Sequence, residues 1–88
     1  MPVIWIPSLL RRFTEDRDQI RVGGSTIREA VDSLEALYPG IRERLCEVDR
    51  LKPGVAISVD GEISLEGLRQ PVGRDTEVHF VAAISGGK

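Results

Sequence analysis

Few residues in this chain could do chemistry, and the pair Gly86-Gly87 comes first among them. It follows a strand-like run from Thr76 to Ala82 and then Ala83-Ile84-Ser85, with Lys88 alone beyond it. A glycine pair usually turns the chain into a further element. Here it is better suited to entering a narrow site on another protein, where a Cβ would collide with the walls. The reactive group is then expected to be the backbone carboxylate of Gly87, with Lys88 standing in its way. The plain alternative is a frayed terminus, which small residues also favour.

The remaining candidates have structural readings at least as good. His79 is the single histidine and has no Ser or Cys partner at a known motif spacing, although an imidazole needs an orienting group and a nucleophile or metal to act. Along the last strand Val78 and Phe80 alternate with His79 and Val81. The bulkier pair is expected to face a helix, which leaves His79 and Val81 on the open face as surface residues or partner contacts. Cys46, beside Leu45, reads as a small hydrophobe. Gly23-Gly24-Ser25-Thr26 precedes a helix and could cradle an anion on free N–H groups. It lacks the spacing and the lysine of a phosphate loop, so a turn and a cap are expected there. The acidic residues show no paired-carboxylate or metal-ligand pattern.

Composition narrows the function classes. The 88 residues make one small domain, 41% hydrophobic and 30% charged, with one modest core and little room for a deep cleft. Twelve basic residues are interleaved with fourteen acidic ones for a net charge of −2, which offers no field for nucleic acid. One cysteine allows no internal disulfide and fits a reducing, cytoplasmic setting. The apolar run Val3 to Ile6 is too short for a signal-peptide core, and no stretch reaches the length needed to cross a bilayer.

The elements that must position the tail follow from pattern. Val3 to Ile6 and Asp18 to Val22 read as strands, separated by a polar loop from Ser8 to Arg17. Thr26 and Glu29 form a capping box. Behind it Ile27, Ala30, Val31, Leu34, Leu37 and Tyr38 fall on one helical stripe, which Pro39-Gly40 ends. Ile41 to Leu45 adds a short helical turn, and Asp49 to Gly54 a polar loop. Val55 to Val59 is a strand turned by Asp60-Gly61, a pair suited to a type I′ turn, into a short edge strand from Glu62 to Ser64. Leu65 and Leu68 belong to a compact turn before the last strand.

One wide-striped helix must cover one face of a mixed sheet, giving a two-layer α+β domain. The β-grasp arrangement of four to five strands on one main helix fits this order. A ferredoxin-like sheet would need a second full helix, which Leu65 to Gly73 cannot supply. The expected division is a β-grasp head over residues 1–83 and a Gly-Gly tail over 84–88.

With these elements in order, the chain resembles the ubiquitin-like sulfur carriers of the MoaD/ThiS family along nearly its whole length. The stretch Gly73 to Val81 is similar to the family's glycine, acidic residue and final strand, and Ile84-Ser85-Gly86-Gly87 to its tail. Val59-Asp60-Gly61-Glu62 occupies its hairpin. Ile6 to Arg11 and Leu34 to Leu45 look closest to the branch that delivers sulfur for cysteine synthesis. Two features depart from the pattern: Ala82-Ala83 stands where proline often precedes the glycines, and the chain runs on to Lys88 where active members end on glycine.

The resemblance implies a carrier rather than an enzyme, binding no cofactor itself. An E1-like adenylating enzyme would use ATP to activate Gly87, and sulfur transfer would give a thiocarboxylate delivered to a sulfur-accepting synthase. The pathway would be molybdopterin, thiamin or cysteine biosynthesis. A processing metalloprotease would first remove Lys88. Gly86 would be needed for its narrow backbone, and His79, Val81, Ala83, Ile84 and Ser85 would meet the partner. A protein modifier joined to lysines and a plain β-grasp interaction module remain as alternatives.

Overall fold

The computed structural model describes residues 1–82, and the candidates Ala83, Ile84, Ser85, Gly86, Gly87 and Lys88 lie outside them. The strands of the main sheet are β1 (Val3–Trp5), β2 (Gln19–Arg21), β5 (Val55–Val59), β6 (Glu62–Ser64) and β7 (Glu77–Ala82). Two helices, α1 (Ile27–Leu37) and α2 (Ile41–Leu45), separate β2 from a small hairpin of β3 (Cys46–Glu47) and β4 (Arg50–Leu51). The sheet order is β2-β1-β7-β5-β6, with β7 central, parallel to β1 and antiparallel to β5. The last strand is thus held on both sides, with Ala82 opposite Val55 in its final register pair. This is the β-grasp arrangement, a mixed five-stranded sheet with one main helix on one face.

The core lies between α1 and that face. Ile27, Ala30, Val31 and Leu34 meet Ile4, Ile20, Ile57 and Val78, all buried, and Ile41 and Leu45 of α2 close one end. Alternation along β7 puts Val78 and Phe80 into the core as the sequence requires. Leu37, on the same helical stripe, is 58% exposed instead. Periodicity identifies residues that share a helix face, but not how far the partner layer extends beneath them.

Three local features differ from the sequence expectations. The loop after β1 contains a 3₁₀ helix, Ser8–Phe13, whose i→i+3 bonds carry no apolar period to read. The loop after α2 is the β3–β4 hairpin, turned through Val48 at φ 58°. The cap of α1 is shared between two residues. Thr26 Oγ1 accepts from Glu29 N at 3.2 Å, as expected of a capping box, but the Glu29 carboxylate turns to Ser25, accepting from its N–H at 2.8 Å and its hydroxyl at 2.9 Å. At the far end of α1, Glu35 accepts from the N–H groups of Gly40 and Arg42, joining the two helices through their turn.

The hairpin turn is tied to the strand that leads to the tail. Asp60 (φ 50°) and Gly61 (φ 91°) both have the positive φ of a type I′ turn. Asp60 N donates to Glu77 O, and Glu77 N donates to Asp60 Oδ1, both at 2.9 Å. The start of β7 is thereby fixed from the side chain and backbone of one turn residue.

Candidate functional site

The site to be built is the surface from which the C-terminal segment leaves. On the open face of the sheet, His79 lies opposite Trp5 on one side and Ser58 on the other. The Trp5 and His79 rings stack with centroids 5.0 Å apart and planes 8° from parallel. Trp5 Nε1 donates to Glu77 Oε1 at 3.2 Å, which fixes the indole over the strand. Val81, opposite Ala56, continues this face towards the end of β7 and is 42% exposed. His79 and Val81 therefore stand where strand parity puts them.

Trp5 and Glu77 were not among the candidates read from the sequence. The signal that finds them is register. A parallel β1–β7 pair with both residues on the odd-numbered face brings two aromatic rings side by side, a favourable cross-strand contact. The stack gives the open face a flat aromatic centre on β1 and β7.

The other sequence candidates are not brought to this place. Cys46 is buried, and desolvation is the main cause that pushes its thiol up from the ordinary range, which favours the neutral form. In the Gly23–Thr26 turn the Ser25 N–H and hydroxyl already serve the Glu29 carboxylate, a negative charge that stands where an anion would have to bind. Those two hydrogen bonds hold the Glu29 carboxyl below the usual carboxylate range. Gly24 has a packing role instead. At φ 140° a Cβ on it would lie 2.8 Å from the backbone N of Ala30, inside the first turn of α1. Among the described residues there is no cluster of His, Cys, Asp or Glu able to hold a metal ion, and no helix long and apolar enough to cross a membrane.

The chain matches the ThiS family over residues 4–87. The structure superposes on a chain of the Amycolatopsis orientalis BexX/CysO complex with a TM-score of 0.91, at 26% identity, covering 99% of this chain and 100% of that one. Mycobacterium tuberculosis CysO, described as an antigen, gives 0.87 at 28% identity over 96% of this chain and 100% of its own. The small archaeal modifier protein 1 of Methanosarcina acetivorans, at 20% identity, shares the fold with a TM-score of 0.80 over 98% of this chain and 95% of its own. No curated protein sequence matches. By family match and by fold, the chain belongs to the ThiS family of ubiquitin-like β-grasp sulfur carriers.

Proposed function

We propose that the chain carries sulfur as a thiocarboxylate on Gly87, formed after Lys88 has been removed by a metalloprotease. The observation that carries this reading is the extent of the family match, which runs through Gly86 and Gly87 and stops short of Lys88. A free carboxylate is a poor acyl electrophile at neutral pH. In the proposed sequence a Gly87 carboxylate oxygen attacks the α-phosphorus of ATP on an E1-like adenylating enzyme, and pyrophosphate leaves. A sulfide-level donor then attacks the acyl carbon of the adenylate, AMP leaves, and the thiocarboxylate remains. Its sulfur is a soft nucleophile that a sulfur-accepting synthase uses in cofactor or cysteine biosynthesis, and the likeness to the CysO structures favours the cysteine branch.

In this reading the chain is the carried substrate, and both catalysis and ATP belong to the partner. The head docks while the tail reaches. Four residues from Ile84 to Gly87 span about 13 Å when extended, enough to enter a buried site from a docked surface. His79 and Val81 on the rigid open face, together with Ala83, Ile84 and Ser85, make the partner contacts.

Reconstitution tests the reading. Chain ending at Gly87, incubated with its adenylating enzyme, ATP and a sulfide donor, should gain one sulfur in place of oxygen at the C-terminus. Chain retaining Lys88 should not. Lysine-linked adducts without any thiocarboxylate would favour the modifier reading instead.

A further inference from the structure

An apolar groove of about 150 Å³ lies near the end of β7. Leu9 and Leu10 of the 3₁₀ helix, Leu45 of α2, and Phe80 and Val81 of β7 line it, with Arg44 as its charged member. An apolar space of this size holds about one benzene-sized group, so it suits a single side chain. We propose that the chain's own tail closes on this groove, with Ile84 in the apolar part and the Gly87 carboxylate on Arg44 and Arg12. The proposal rests on the carrier reading above for the removal of Lys88, and it gives the tail a resting place between partners.

Reach, composition and charge select this occupant. Phe80 and Val81 belong to the groove wall, and the tail begins directly after Ala82. Ile84 is two residues further on, about 7 Å of extended chain, and Gly87 is five residues on, about 17 Å. Ile84 is the one large apolar residue beyond Ala82. Continued alternation from Val78 and Phe80 assigns it to the face that carries Leu45. The guanidinium carbons of Arg12 and Arg44 lie 5.2 and 5.1 Å from the centroid of the same ring, that of Phe13. The ring stabilises each cation, but two like charges gathered on one side chain repel each other. Neither arginine belongs to the ion pairs among the described residues, Arg28–Asp49, Arg42–Asp32 and Arg50–Glu47. The Gly87 carboxylate relieves that repulsion and accepts the planar, two-pronged donors of an arginine. Lys88 would instead bring a third cation to the place. A tethered tail is also present at an effective concentration on the order of millimolar, which favours it over an untethered occupant. Closure covers the acyl end in transit, and binding to a partner must first open it.

The test is NMR of the isolated chain, ending at Gly87 or keeping Lys88, without ATP or a partner enzyme. In the chain ending at Gly87, the Ile84 δ1 methyl should show NOEs to Leu45 and Phe80. Backbone order parameters from Ile84 to Gly86 should rise towards about 0.85. In Ile84→Ser, in Arg12→Glu/Arg44→Glu and in the chain keeping Lys88, they should fall below about 0.6. Ile84→Ser leaves the head unaltered, so its head signals away from the groove should superimpose on those of the parent. Order parameters below about 0.6 in the chain ending at Gly87 overturn the proposal. So does equal closure in the chain keeping Lys88, which would remove the role of charge. NOEs seen only between differently labelled chains would make the occupant a second copy and overturn it as well. None of these failures touches the carrier reading, which falls only if reconstitution yields no thiocarboxylate, a result that leaves these spectra unchanged.

Discussion

The chain contains two glycine pairs, and they differ in what requires them. Gly23-Gly24 lies inside the head, where a Cβ on Gly24 would press into the backbone of α1 at 2.8 Å. Gly24 is required by the fold, whereas a Cβ on its neighbour Gly23 would meet nothing within 4 Å. Gly86-Gly87 lies beyond the described residues and, in the proposed function, is required by the walls of a partner's active site. The same dipeptide thus answers to internal packing in one place and to external fit in the other. Folding and activation should therefore be separable by substitution.

The largest effect is expected at the tail. Gly86→Ala should reduce adenylation by about a hundredfold, because small misplacements at a reacting centre cost that much. Its thermal melt should superimpose on that of the parent. Normal adenylation of this variant would sink the steric account. Gly24→Ala should do the reverse, lowering stability by roughly 2–4 kcal/mol through backbone clash and strain. Adenylation measured well below its melting temperature should be unchanged. A melt like the parent's would mean that α1 shifts to make room.

Val48 supplies a third case, a β-branched residue at φ 58° in a position whose backbone suits glycine. Val48→Gly should stabilise the head by up to about 1 kcal/mol, read from chemical denaturation, because left-handed strain is relieved there. The smallest effect concerns Glu29. Its folded pKa lies below the ordinary value of 4.5, chiefly through the hydrogen bond from the Ser25 N–H. The sign follows from linkage. Its contribution is present above the unfolded pKa and fades as pH falls through the folded one. Glu29→Gln should flatten the stability profile just below pH 4.5 and leave it unchanged near neutrality.

Much of the head was legible because local signals agreed with one another. Thr26 marked the start of α1, Asp60-Gly61 marked the hairpin, and alternation at Val78, His79 and Phe80 gave the correct faces of β7. What stayed hidden depends on contacts between distant segments. Trp5 meets His79 only through the parallel register of β1 and β7. An apolar groove near the end of β7, lined by Leu9, Leu45, Val55 and Phe80 among others, needs the 3₁₀ helix, α2, β5 and β7 to converge, and no window of sequence contains all four. Glu35 accepts bonds from Gly40 and Arg42 because the turn between the helices folds back on it, a geometry that spacing alone does not state. The candidate site divides in the same way: strand parity finds His79 and Val81, while Trp5 and Glu77 require the fold.

In the proposed function the working end of this chain is the Gly87 carboxylate, and sulfur travels on it. Intact-mass spectrometry of the protein from its native cell tests this most directly. The expected species lacks Lys88 and is heavier at its C-terminus by the difference between sulfur and oxygen. A population that keeps Lys88 and carries only oxygen, in cells actively making the sulfur-containing product, would contradict it.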